Sequence, residues 1–366
     1  MKIPFIDLKI QYQGIEKEIK KETEKVLSSG QYILGRRVEE FEKKFAKYCK
    51  VKYCLGVNSG TSALHLALVA LGIGRGDEII IQPNTFFATA EAISYCGAKP
   101  VFVDIEPETY GIDAKKITKA ITKKTKAILP VHLYGLTSDI KKINKIAKQH
   151  KLSVVEDACQ AHGVAINGKK LGTFGKIGCF SFYPGKVLGA AGEGGAVITN
   201  DKSLYLKIKA LRDHGQIQKN DHKFIGYNYR MEELQGAVLT IKLRKLNTWI
   251  LKRRQIAKLY NKFLKGIVIV PPESSLNYSN FQYYAIRCKN RDKLKEYLGK
   301  KGISTLIHYP KPIHLQEAYK FLGLKSGDFP VTERVSKEIL SLPMYPELTK
   351  KQVYYISNLV KKFYLK

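Results

Sequence analysis

"KYCLGVNSGTSALHLALVALGIGRGDEIIIQPNTFFATAEAISYCGAKPVFVDI", residues 52–105, contains three short apolar runs, "KYCLGV", "EIIIQP" and "PVFVDI", separated by longer stretches of a different rhythm. In "TSALHLALVALG" and "TFFATAEAISYCG" the apolar residues recur three and four apart, the spacing of one helix face. Runs of four to six apolar residues bounded by turn residues predict buried strands. Strand, helix, strand, helix, strand is the pattern of a parallel sheet with helices packed on its faces.

The alternation continues through "KAILPVH", "LSVVEDA", "GCFSFY" and "GGAVITN", with "DAKKITKAIT" and "SDIKKINKIAKQH" as helical segments between them. An α/β domain with a mostly parallel sheet follows, and such domains build ligand sites at the carboxyl ends of their strands. Upstream, "YQGIEKEIKKETEKVLSSG" and "GRRVEEFEKKFAKYCK" predict two helices, each with a glycine near one end. Beyond residue 241 a lysine-rich helix carrying Trp249 leads into "GIVIVPP", "FQYYAIRCK", "DKLKEYLGKKG" and "ISTLIHYP", where aromatics are denser. The expected division is residues 1–240, N-terminal helices and a large α/β domain, and residues 241–366, a smaller α+β domain.

The 366-residue chain is 44% hydrophobic and 10% aromatic, enough for substantial cores and against disorder. It carries 63 Lys+Arg against 32 Asp+Glu, a formal net charge of +31. Such a surplus attracts nucleic acid, acidic membranes and phosphorylated metabolites alike. Because the lysines are spread over nearly every helical segment, with no basic stripe studded by aromatics, they read as solvated helix faces. A nucleic-acid-binding protein is therefore the distant alternative. The six cysteines form no CxxC pair and no zinc spacing, which leads us to expect reduced thiols and no metal. "MKIPFIDLKIQYQ" lacks the apolar core of a secretion signal and no run of about 18 apolar residues occurs. The expected compartment is the cytoplasm, without membrane association.

Several motifs sit where strands should end. "NSGTSALHLAL" (58–68) puts Gly60, Thr61 and Ser62 at a helix start, where free N–H groups and hydroxyls suit a phosphate. The same residues also make an ordinary helix cap. "SVVEDACQAHG" (153–163) ends a strand with Glu156 and Asp157. A carboxylate there either caps the next helix or holds a heterocycle nitrogen protonated, with Gln160 one turn further on. "GVAINGKK" (163–170) approaches a nucleotide-binding loop, but Lys170 stands where Ser or Thr must hold magnesium, and Asn167-Gly168 is a better hairpin turn. "GRGD" (74–77) reads as a turn before a strand. In "CFSFYPGKVLGAAGEGGAVITN" (179–200), Lys186 follows an apolar aromatic strand and enters a glycine-rich loop, unlike the solvated lysines of the helices. A lysine attacks carbonyls only when partly unprotonated, which shielding from water favours. A phosphate-binding helix start, a strand-end Asp and a sheltered lysine are together the parts that pyridoxal 5'-phosphate requires.

With these motifs the chain resembles the DegT/StrS-type sugar aminotransferases, fold-type I enzymes dependent on pyridoxal phosphate. The likeness runs through "IPFIDL", "SGTSALHLAL", "PNTFFATAEAI", "PVFVDIEPETY", "PVHLYG", "VVEDACQAHG", "FSFYPGKVLGAAGEGGAVITN", "RDHGQ", "GYNYRMEELQGAVL" and "IHYPKPIHLQEAY". It implies an aspartate-aminotransferase-like fold, with Lys186, Asp157 and Tyr183 at the reacting centre. Lys186 would bond the cofactor, Asp157 its ring nitrogen and Gln160 its ring oxygen; Gly60, Thr61, Ser62 and Ser181 would hold its phosphate, and Phe86 would stack on the ring. Asn228 would reach the cofactor of a second subunit, making a homodimer with shared sites. Tyr183, His308, Tyr309 and His314 would lie near the sugar. The implied substrates are glutamate and a nucleotide-linked, dTDP-type 6-deoxy-keto-hexose. Tyr183 favours amination at carbon 3, with carbon 4 the alternative. Val187 and Glu193 depart from residues common in the family; the lysine at 186, which dehydratase relatives replace by histidine, favours transamination.

Overall fold

The computed structural model describes residues 1–272 and 277–365. Its centre is a seven-stranded sheet built from β1 (Tyr53–Val57), β2 (Glu78–Ile81), β3 (Lys99–Phe102), β4 (Thr125–Ile128), β5 (Ser153–Asp157), β8 (Ile177–Ser181) and β9 (Gly195–Thr199). All seven are the apolar runs expected from the sequence. The order is β1-β9-β8-β5-β4-β2-β3, and β9 alone runs antiparallel to its neighbours. The short strands β6 (Ala165–Ile166) and β7 (Lys169–Lys170) form the hairpin expected at Asn167-Gly168, whose φ angles of 49° and 77° suit a two-residue turn.

The strands are apolar on both sides because helices cover both faces. On one face Leu64, Leu66 and Leu68 of the helix Gly60–Ala70 and Ile93 of the helix Ala88–Tyr95 pack on Ile79, Ile81, Leu129 and Val155. On the other, Phe41 and Phe45 of the helix Arg36–Cys49, with Ile117 and Ile143, pack on Ile80, Ile128, Val154 and Phe180. The helix Gly60–Ala70 is buried nearly all round, which explains why "SALHLALVA" has no polar stripe. Ile140–Gln149, in contrast, buries only Ile140, Ile143, Ile146 and Ala147 and turns its lysines to water.

One continuous helix, Glu233–Leu264, runs through the boundary expected at residue 240. Its first half supplies Leu239, Leu246 and Ile250 to the core under the large sheet. Its second half supplies Ile256, Ala257, Tyr260 and Leu264 to a separate core around the antiparallel pair Tyr284–Arg287 and Ile339–Leu342 and the helix Lys350–Tyr364. Ile3 joins that second core and bridges Ile303, so the start of the chain packs with its C-terminal part.

Glu233 opens the long helix and is only 3% exposed. Its carboxylate accepts from the backbone N–H groups of Gly35, Arg37 and Val38, each at 2.8 Å, so it caps the helix Arg36–Cys49 from across the chain. Three charge-assisted bonds in a buried place make this cap costly to lose. Glu233→Ala should lower unfolding stability by about 2 kcal/mol, since it leaves one buried and two half-buried donors without their carboxylate. A denaturant midpoint within error of wild type would refute that.

Candidate active site

The site forms where β5 ends. Successive side chains of a strand point to opposite faces, so the adjacent acids Glu156 and Asp157 separate. Glu156 is fully buried and accepts from the backbone N–H groups of Gly172, Phe174 and Gly175 at 2.8, 2.6 and 2.6 Å, with His132 Nε2 at 3.0 Å. It holds the turn between β7 and β8. Asp157, 4% exposed, faces a cleft of about 660 Å³. Its oxygens accept from Thr89 Oγ1 at 2.8 Å and from Cys159 N at 3.1 Å, and no cation pairs with it among the described residues.

The helix Gly60–Ala70 points its N-terminus at the same cleft. Ser59, not Ser62, serves the opening: Ser59 Oγ accepts from Ser62 N at 3.0 Å and lines the cleft with Gly60 and Thr61. Ser62 does not line the cleft, contrary to expectation. Third in the helix, it is 6% exposed and its hydroxyl is spent on Ser59 Oγ at 2.9 Å. Gly60 is needed for its size, because a Cβ there would lie 2.6 Å from Ser181 Cβ and 3.1 Å from Cys159 Sγ. Helix start and strand end thereby close to a cradle lined by backbone and hydroxyl groups.

Lys186 follows β8 on the loop to β9, its N–H donating to Tyr183 O at 2.8 Å, and among the described residues it is the only lysine or arginine lining the cleft. Gln160 lines it too, accepting from Tyr134 N at 2.8 Å and donating to Tyr309 OH at 3.2 Å. Ser181, Phe86, Tyr183, His308 and Tyr309, all expected, line it as well, with Phe86 57% and Tyr183 55% exposed. His308 stacks on Tyr283 at 3.8 Å with Nδ1 3.0 Å from Ser341 Oγ; burial first, and then the charge of Lys186, depress its pKa to about 4.

Besides Ser62, two more expected residues lie elsewhere. His314 is 1% exposed, its Nε2 3.2 Å from Glu333 Oε1 and its ring packed on Phe329, so it braces the C-terminal part and does not line the cleft. Asn228 is exposed and outside its own chain's cleft, where its Oδ1 accepts from Arg230 Nε at 3.0 Å. Ser59, Thr85, Thr89, Cys159, Glu193 and Tyr283 line the cleft without having been anticipated. Thr89 was within reach of the sequence, one helical turn beyond Phe86; Tyr283 carries no local signal. Among the described residues no group of three or more His, Cys, Asp or Glu is placed to hold a metal ion.

These residues fit pyridoxal phosphate. A buried carboxylate without a cation matches a protonated ring nitrogen, the Gly60 cradle matches a phosphate, and the single cleft lysine matches an aldehyde. Fold and cleft together define a cofactor-dependent α/β enzyme of fold type I. The chain belongs to the DegT/DnrJ/EryC1/StrS aminotransferase family, whose model matches residues 13–361, and the family's cofactor is pyridoxal phosphate. It is 44% identical to the dTDP-3-amino-3,6-dideoxy-alpha-D-galactopyranose transaminase of Aneurinibacillus thermoaerophilus, over 99% of both chains. It is equally 44% identical to the pleiotropic regulatory protein of Geobacillus stearothermophilus, over 100% of this chain and 99% of that one. Streptomyces venezuelae DesV, solved in complex with a ketimine intermediate, superposes with a TM-score of 0.98 at 40% identity over 100% of this chain and 99% of that one.

His162 is fully buried against Phe180 and Phe182, with no hydrogen-bond partner meeting normal geometry at either ring nitrogen among the described residues, and burial followed by Lys186 lowers its pKa to about 3. His162 and His308 therefore stay neutral in the folded protein while an unfolded chain protonates them near 6.5. The unfolded state then binds more protons, and stability falls as pH drops. Their contribution should be complete above about pH 6.5 and lost progressively toward about pH 4 for His308 and about pH 3 for His162. Denaturant midpoints across that window should fall less steeply in His308→Gln than in wild type; an identical slope would refute the assignment for His308.

Proposed function

We propose that the chain transfers an amino group from glutamate to carbon 3 of a nucleotide-linked 3-keto-6-deoxyhexose, the nucleotide being dTDP. The observation that carries this reading is Lys186 sharing one cleft with the buried, cation-free Asp157. Pyridoxal phosphate, when bound, supplies an aldehyde that bonds amines and a protonated ring that draws electrons from them. Asp157 keeps the proton on the ring nitrogen, and Thr89 and Cys159 N hold its carboxylate in place for this. Gly60, Thr61, Ser59 and Ser181 would hold the phosphate, Phe86 would lie against the ring, and Gln160 Nε2 would donate to its oxygen; all of them line the cleft.

Lys186 Nζ would be the base that takes the proton from glutamate Cα, as the one amine in the cleft among the described residues. In the second half of the reaction the same Nζ delivers a proton to the sugar's keto carbon. Tyr183, His308 and Tyr309 border the space left for the sugar. Support for carbon 3 comes from the 3-amino-sugar transaminase named above. Carbon 4 is the alternative, and the regulatory name of another relative favours a second reading, a cofactor-binding regulator without turnover.

Asn228, exposed and outside its own cleft, serves the cofactor phosphate of a second copy in a homodimer. No helix among the described residues is long and apolar enough to cross a membrane, and all six cysteines are free. Unpaired thiols support the cytoplasm as the compartment.

Lys186→Ala, Asp157→Asn and Asn228→Ala should each lose at least ~10²-fold in turnover. Mixing Asn228→Ala subunits with either of the others should restore about a quarter of wild-type rate, since half the dimers are mixed and each has one intact site. Mixing Lys186→Ala with Asp157→Asn should restore none. Recovery in that last mixture, or none in the first two despite proven exchange, would overturn the shared site.

The position aminated is read from product NMR after incubation with glutamate and either a 3-keto or a 4-keto dTDP-6-deoxyhexose. Nitrogen on carbon 3 is the expected result. Nitrogen on carbon 4, with the 3-keto sugar untouched, would overturn the carbon assignment, and no product from a wider panel of keto-sugar nucleotides would favour the regulator.

A further inference from the structure

Lys186 sits on a loop, and a reacting side chain on a loop needs something rigid to aim it. Its own turn contributes one bond, from Lys186 N to Tyr183 O. The stronger hold comes from Gln282, far along the chain and 2% exposed. Gln282 Nε2 donates to Gly185 O at 2.9 Å, and Gln282 Oε1 accepts from Val187 N at 2.9 Å. One carboxamide thus fixes the peptide groups immediately before and after Lys186.

Asn280, fully buried, works beside it. Its Nδ2 donates to Gln160 O at 3.1 Å and His162 O at 3.0 Å, while its Oδ1 accepts from Gln282 N at 2.9 Å. A three-residue segment entering the C-terminal strand pair therefore grips the backbones that carry Lys186 and Gln160. We propose that Gln282 is a positioning residue for Lys186, held in register by Asn280. It touches no substrate and acts only through the direction of the lysine side chain. The inference rests on the role given to Lys186 above.

The chemistry required is one donor and one acceptor on a single planar carbon. An ionised carboxylate has two acceptors and would face the Gly185 carbonyl with repulsion, whereas a protonated one recovers the pattern. Gln282→Glu is consequently a variant that pH can repair. At about pH 8, well above the ordinary Glu pKa, it should lose at least ~10-fold in kcat with KM for both substrates within about twofold. Its rate relative to wild type should climb as pH is lowered toward about 5.5. Gln282→Met, with neither donor nor acceptor, should be slow at every pH. In cofactor-free protein, Gln282→Met should also speed hydrogen exchange at the Val187 amide, while exchange in strand β5 is unchanged.

A Gln282→Met enzyme with kcat within about twofold of wild type would overturn the proposal. If that variant does not fold, the Gln282→Glu series decides: a rate ratio independent of pH overturns it, and one that rises toward acid supports it. Failure of the underlying reading looks different, since borohydride would then fail to fix the cofactor on Lys186 in wild-type protein.

Discussion

A carboxylate buried at the end of a central strand is the constraint around which this molecule is organised. Asp157 is 4% exposed, and two neutral donors, Thr89 Oγ1 and Cys159 N, are what the described part of the chain offers it. Burying a charge without a counter-charge is expensive, and two hydrogen bonds offset only part of that cost. In the function proposed above, a cationic ring nitrogen brought by the cofactor would complete the balance. The sheet order then supplies the remainder: β8 lies next to β5 and ends in Ser181, and the loop beyond it brings Lys186 to the same cleft.

The same strand shows how one residue step divides structure from chemistry. Glu156 and Asp157 are both acids, both nearly invisible to solvent, and adjacent. The pleat sends Glu156 to the face where three backbone N–H groups and His132 await it, and sends Asp157 to the face covered by the helices Gly60–Ala70 and Ala88–Tyr95. One carboxylate closes a turn, and the other is left with capacity for a ligand.

Rigidity around the cleft comes from distant segments. Glu233 caps a helix some two hundred positions earlier, and Asn280 and Gln282 hold the loops bearing Gln160 and Lys186. The C-terminal part thus acts on the site through backbone hydrogen bonds as well as through Tyr283, His308 and Tyr309 in its wall. That arrangement accords with the helix Glu233–Leu264, which belongs to both cores and leaves no loose joint at residue 240.

The seven strands, the hairpin at Asn167-Gly168, and the grouping of Gly60, Thr61, Asp157, Gln160 and Lys186 near one ligand were legible in the chain itself, whereas Ser181, which lines the same cleft, was expected only from the family resemblance. Apolar runs of fixed length and residues at strand ends are local signals, and a parallel sheet gathers its strand ends at one edge. Local sequence gave no means to separate Ser59 from Ser62, since which hydroxyl faces the ligand depends on the turn of the helix start. Nor could it show that His314 is used up by Glu333, or that Gln282 brackets Lys186. Those facts depend on contacts between residues far apart in the chain. Only the folded structure decides them, because a hydrogen bond depends on position in space and leaves no periodicity in the sequence.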